Sequence, residues 1–140
     1  MPKLPDIYFD SIRPVALHLP PDRYLVKLVE IERFHARNSK RPCFRWWWEI
    51  MKGQFKGQQI DSYTGVGTKE SDGRMNHRLK RHFRALRLEY IEDFNPNDLI
   101  NMRVTIDVEE IGNGRPEIDS MMPAEFYKYS RNWKPNGWHL

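Results

Sequence analysis

The sequence predicts a mainly β domain, a five-stranded barrel with one α-helix between the third and fourth strands. Three observations lead there. Several short stretches alternate apolar and polar residues at a period of two and are bounded by Gly, Pro or Asn. Only one stretch, NHRLKRHFRALRLEY at 76–90, repeats at the helical period. The chain has 140 residues, 39% hydrophobic and 13% aromatic, which is enough for one sizeable core and too little for two.

Taken in order, residues 1–21 hold Pro2, Pro5, Pro14, Pro20 and Pro21 and predict an extended N-terminal arm, with a short strand near Val15–Leu19. The domain itself is expected over 22–122. RYLVKLVEIER at 23–33 reads as a long strand. Tyr24, Val26 and Leu28 share one parity and Val29 and Ile31 share the other, so a bulge or strong coiling is expected within the strand. FHARNSKRP at 34–42 is a loop. CFRWWWEIM at 43–51 is the second strand, with Phe44, Trp46, Trp48 and Ile50 on the core face and Cys43, Arg45, Trp47, Glu49 and Met51 on the other. KGQFKG at 52–57 is a glycine-bracketed turn, 58–66 the returning strand, and GTKESDGRM at 67–75 a loop.

In the helix at 76–90, Leu79, Phe83, Leu86 and Tyr90 form one apolar stripe, and Asn76 is the expected N-cap. EDFNPND ends it. MRVTIDVEEI at 102–111 places Met102, Val104, Ile106 and Val108 inside and Arg103, Thr105, Asp107 and Glu109 outside. GNGRP is a turn and EIDSMM at 117–122 a short return strand. The tail at 123–140 is aromatic and basic with no helical period. Three strands, a helix and two strands is the element order of the oligonucleotide/oligosaccharide-binding (OB) fold, which binds ligands on its second and third strands.

The net charge of +4 is segregated. Residues 23–57 hold nine Lys/Arg against three acids, 74–87 hold six and no acid, and 88–125 hold two against ten acids. Such a division favours a polyanionic partner, or else the blocks pair with one another at the surface.

Those elements carry a resemblance. RYLVKLVEIE at 23–32, WWWEIMKGQFKG at 46–57, the helix at 76–90 and NDLINMRVTIDVEEIGNG at 97–114 resemble a phage-encoded family of small OB-fold proteins, catalogued as a domain of unknown function and regarded as single-stranded DNA-binding-like. The likeness runs over roughly residues 22–127 and rests on an opening Tyr-containing strand, a strand ending in Gly-aromatic-x-Gly, a loop and helix, and an Asp-Leu-x-Gly step into a Val-rich strand. Where family members carry Gly before the opening aromatic, this chain has PDRY, and Asn101 stands in the glycine position of the later step, a residue that tolerates positive φ. The helix is richer in arginine than the family pattern, and the tail is basic where such binders often end in an acidic, partner-recruiting tail. The resemblance implies single-stranded DNA binding in phage DNA replication or recombination, in the host cytoplasm.

Single-strand binding requires a cationic groove that follows phosphates and aromatic faces on which bases stack, at about 1–3 kcal/mol per base. The hairpin offers Lys40, Arg41, Arg45, Lys52 and Lys56 interleaved with Trp47, Phe55 and Tyr63, and the helix adds Arg78 and Arg81 as outlying phosphate contacts. Trp47 is either a base platform or a ring lying beneath the helix, the arm or a partner subunit. Phe55 is either a second platform or packs back on Met51. In the tail, Phe126, Tyr127, Tyr129, Trp133 and Trp138 with Lys128, Arg131 and Lys134 make either a strand-clamping arm or a segment packed on the barrel.

No catalytic constellation is present: no GxSxG, no phosphate-binding Gly loop, and His77 and His82 five apart, off the spacing of helical metal ligands. A non-enzymatic protein without cofactor or metal is expected. The single cysteine, Cys43, excludes an internal disulfide framework and suits a reducing, cytoplasmic compartment. No apolar run reaches the roughly 18–20 residues of a membrane span. The expected partner is single-stranded DNA. Kept beside it are RNA, replication or recombination proteins, and a homo-oligomer or protein-interaction module on the same fold.

Overall fold

The computed structural model describes residues 19–35, 42–66, 73–91, 94–112, 114–133 and 137–140. Five antiparallel strands form one sheet: β1 (Asp22–His35), β2 (Pro42–Ile50), β3 (Gln59–Gly65), β4 (Arg103–Glu110) and β5 (Pro116–Pro123), in the order β3-β2-β1-β4-β5. The sheet curls into a half-barrel that does not close, and the helix α1 (Gly73–Ala85) lies between β3 and β4 in sequence and packs against both end strands, β3 and β5. The predicted mainly β architecture with one helix at that position is therefore present as an open curl. Residues 1–18 of the expected arm, and with them all but Leu19 of the expected strand near Val15–Leu19, lie outside the described residues.

The parity change in β1 is a bulge: the register against β2 shifts between Leu28 and Glu30. Asp22–Lys27 pair with β4, and pairing with β2 runs from Val26 to His35, so the two ladders overlap at Val26 and Lys27. A strand that twists there can turn the corner of the curl. Inside the curl, Val26, Leu28, Trp46, Trp48, Ile50, Leu79, Val104 and Ile106 are fully buried in one cluster with Phe83, Leu86 and Met121. Asn101 takes the positive φ (75°) that its place in the step before β4 asks for, and its N–H donates to the carbonyl of Leu28 at 2.7 Å.

The helix begins and ends earlier than its periodicity predicts. Gly73 opens it, so Asn76 lies within the first turns and is not the cap. Arg87 adopts φ 59°, the Leu88 N–H donates to the Phe83 carbonyl (2.9 Å) and the Arg87 N–H to that of Arg84 (3.0 Å). This is the Schellman closure, here with arginine in the left-handed position usually given to glycine, which is why no breaker marks the end in the sequence. Tyr90 consequently sits in the loop, yet its ring still meets Phe83 at 5.2 Å. The segment EDFNPND contains a 3-10 turn at Pro96–Leu99, capped by the Asn95 side chain, which accepts from the Asn97 N–H.

Two outward positions of β4, Thr105 and Asp107, are fully buried. The outer face of β1 and β4 is roofed by the C-terminal segment, which makes a 3-10 turn at Ala124–Lys128 and runs on over the sheet. Thr105 donates its hydroxyl to the Ala124 carbonyl at 3.0 Å. Further on, His139 bridges Ser120, and the N–H of Leu140 donates to Asp119, so the chain end lines the outer edge of β5. Of the two readings of the tail, the described residues take the packed one.

Candidate nucleic-acid interface

The tryptophan triplet divides as strand alternation requires. Trp46 and Trp48 face the core and stack with centroids 6.0 Å apart and planes 4° from parallel. Buried indole N–H groups need acceptors, and β3 supplies them: Trp46 donates to Thr64 Oγ1 and Trp48 to Ser62 Oγ, each at 2.9 Å. Ser62 in turn lies 2.8 Å from His82 Nε2, and His82 Nδ1 lies 3.0 Å from the Arg78 carbonyl. A carbonyl only accepts, so the ring carries its proton on Nδ1, and Nε2 accepts the hydrogen bond that the Ser62 hydroxyl donates. The relay is complete with a neutral imidazole, and burial pushes the His82 pKa down to about 3. It ties β2, β3 and α1 together and leaves no group free for chemistry on a ligand.

Trp47 points to the opposite face, as expected, but it is sealed, with no exposed surface. It cannot serve as an open base platform in this structure. Its indole N–H donates to Glu32 at 2.7 Å and the Arg45 guanidinium sits 4.2 Å from its ring centroid. Arg45 is itself 4% exposed and pairs with Asp61 at 2.8 Å, so it belongs to this buried layer and not to a free cationic groove. The reason lies in the neighbouring strands: Trp47 is flanked in register by Glu30 of β1 and Asp61 of β3, and Arg45 by Glu32 and Tyr63. Acids from the flanking strands satisfy the indole and the arginine, and the face that the second strand alone made basic is carboxylate-rich. Phe55 is half-buried, edge-on to Tyr24 at 6.3 Å and packed against the core, which corrects its reading as a platform.

The other predicted residues fall in different places. Lys40 and Arg41 lie outside the described residues. Lys52 and Lys56 are exposed on the β2–β3 turn, with Lys52 Nζ 5.9 Å from the Tyr127 ring. Tyr63 is 37% exposed and meets Phe34 at 5.6 Å, with the Arg45 guanidinium 5.3 Å from its ring. Arg78 and Arg81 lie half-buried on α1, a different element from the β2–β3 turn.

The structure gathers a different set. Along one face of α1, His77, Lys80 and Arg84 are exposed, with Arg81 half-buried beside them, at the three- and four-residue spacing of helical neighbours. Arg84 stacks 4.2 Å over Trp138 and donates to the Gly137 carbonyl. Trp138 meets Phe126 at 6.0 Å, Phe126 stacks on Trp133 at 5.6 Å, Trp133 meets Tyr129 at 4.6 Å, and Lys128 lies 5.3 Å from the Tyr129 ring. This chain of cation and rings ends on two large aromatics with open surface, Trp133 at 47% and Tyr129 at 43%.

A buried arginine holds that backbone in place. Arg23 of β1 makes a bidentate pair with Asp107 of β4 (2.7 and 3.0 Å), both side chains almost fully buried. Its remaining N–H groups donate to the carbonyls of Phe126, Tyr129, Ser130 and Trp133 at 3.1–3.4 Å. The guanidinium fork thus fixes the very residues that carry the exposed rings. Sequence reading did not single out Arg23. Its one signal was a charged residue at the start of an otherwise apolar strand, opposite Asp107 at the same parity.

Three acids near this surface have basic partners: Glu125 pairs with Arg87, Glu109 with Arg131, and Asp119 lies 3.6 Å from His139. Among the described residues Lys52, Lys56, Lys80, Arg81 and Lys128 make no ion pair. Among those residues, too, no three His, Cys, Asp or Glu side chains gather as metal ligands, and no helix is long and apolar enough to cross a membrane. The chain matches no protein-family model and no curated protein.

Proposed function

We propose that this protein binds single-stranded nucleic acid, DNA in the first place and without strong sequence preference, on the surface formed by its C-terminal aromatic segment and the basic face of α1. The half-barrel, with its helix between the third and fourth strands, is on this reading an open OB-type barrel whose binding surface has moved off the second and third strands. One observation carries the proposal: two half-exposed rings, Tyr129 and Trp133, are anchored by a buried arginine and continuous with the cations Lys128 and Arg84. Two adjoining large aromatics half in water form a patch of the kind that marks a binding surface, and π-faces beside cations are what bases and phosphates need.

The test is oligonucleotide binding followed by tryptophan fluorescence. Trp46, Trp47 and Trp48 are sealed, so quenching by oligo-dT at low salt is expected to come from Trp133 and its neighbour Trp138, and to be reversed as salt rises and counterions return. Trp133→Ala is expected to remove most of the quenching and about 1–3 kcal/mol of binding, a 5- to 150-fold loss of affinity, with little change in melting temperature. Fluorescence indifferent to oligo-dT and to matched RNA would overturn the reading and favour a protein partner for the same aromatic surface.

A further inference from the structure

We propose that Glu109 restrains strand binding by competing with a phosphate for Arg131, an exchange seated on the turn that carries the two exposed rings. The N–H of Trp133 donates to the Ser130 carbonyl at 2.8 Å and the N–H of Asn132 to the Ser130 hydroxyl at 3.2 Å, so residues 130–133 form a closed turn. Tyr129 and Trp133 flank it with ring centroids 4.6 Å apart, and Arg131 stands at its corner. The Arg23 fork holds the Tyr129, Ser130 and Trp133 carbonyls. The backbone around Arg131 is therefore fixed, and its side chain is the part left to move.

The Arg131 guanidinium donates to Glu109 of β4, and both side chains are partly open to water, 33% and 41% exposed. An ion pair in that setting is screened and contributes little, so another anion can replace the carboxylate at small cost. A phosphodiester is suited to do so. Its free oxygens accept the guanidinium fork in parallel, and a base stacked on either ring brings its own phosphate to this turn. A second acid stands behind the first: Glu109 faces Glu117 in register across the β4–β5 ladder, and like charges so placed repel. Arg131 relieves that repulsion in the free protein, and the same two carboxylates oppose an approaching phosphate. Binding thus starts from a state in which Arg131 is engaged by an acid, and removing the acid strengthens it. This regulation rests on the proposed function, since the competing anion is the bound strand.

The test is a double-mutant cycle followed by oligo-dT anisotropy in the full chain at low salt. Glu109→Gln is expected to bind about three- to fivefold tighter than the parent, and Arg131→Gln about five- to tenfold weaker. With Arg131→Gln already in place, Glu109→Gln is expected to gain about twofold or less. Glu110→Gln, at the exposed neighbour on β4, removes the same charge one residue away and is expected to gain about twofold or less in either background. In the parent protein, the Arg131 Nε–H resonance is expected to shift in NMR as oligo-dT saturates the surface. Additive effects of the two substitutions, a gain from Glu110→Gln equal to that from Glu109→Gln, or an Arg131 resonance unmoved by saturating oligo-dT refutes the exchange and leaves the binding function standing. If oligo-dT binds neither the parent nor Glu109→Gln, strand binding and its restraint both fall; if it binds only after Glu109→Gln, both stand.

Discussion

The relay that runs from Trp48 through Ser62 to His82 makes the fold acid-sensitive in a window that can be worked out. The unfolded chain protonates His82 with an ordinary value of 6.5, whereas the folded protein resists until about pH 3. A group whose folded pKa is depressed contributes stability in full above its unfolded value and loses it as the pH falls towards the folded one. Each pH unit inside that window is worth about 1.4 kcal/mol, so moving from pH 7 to pH 5 removes about 2 kcal/mol, or roughly 6–8 °C of melting temperature for a domain of this size. The folded value needs only to lie well below 5 for this figure to hold. Urea unfolding followed by far-UV circular dichroism at constant ionic strength gives the free energy at both pH values. His82→Gln has no titrating ring, so its stability should fall by about 2 kcal/mol less over the same interval, whatever its starting level. Equal pH dependence in the two proteins would mean that the imidazole is charged, or not buried, in the native state, and the relay as described would be wrong.

Two further outcomes follow from the geometry. Trp47→Ala removes a sealed indole and the N–H that it donates to Glu32, and is expected to cost about 3–5 kcal/mol in denaturant unfolding while leaving the oligonucleotide affinity of the folded protein unchanged. Lost affinity at unchanged stability would return that ring to the ligand. Asp107→Asn keeps the volume but strips Arg23 of its charge partner, which for a buried pair costs about 3–5 kcal/mol. It is also expected to open the backbone between Phe126 and Trp133 to limited proteolysis at temperatures where the parent resists, and an unchanged cleavage pattern would show that Arg23 does not anchor the tail.

Much of the architecture was legible because it follows from local rules. Alternation marked the second and fourth strands, aliphatic composition the first and turn signals the returning third and fifth; the mixed parity of Val29 and Ile31 marked the bulge at Leu28–Glu30, and alternation assigned Trp46 and Trp48 to the core. The helix was legible in kind and displaced in position, because its end is made by Arg87 in a left-handed conformation for which no glycine announces itself. The polar residues Ser62 and Thr64 on a core-facing strand made sense only once two indole N–H groups were found beside them.

The candidate site was less legible. A basic, aromatic hairpin reads as a binding surface when its own strand is considered, but Arg45 and Trp47 take their partners from Asp61 and Glu32, on strands whose register no local pattern reports. The same long-range bookkeeping turned Arg23, one charge among many, into the post that carries the tail.

By itself, the sequence determined which residues form strands, which face each side chain takes and where charge accumulates, since these depend on neighbours two to four positions away. Only the tertiary structure decided which of those faces stays open to water. Exposure depends on what folds over a surface from far along the chain, and here the tail covers one face of the sheet and lifts two aromatic rings into solvent.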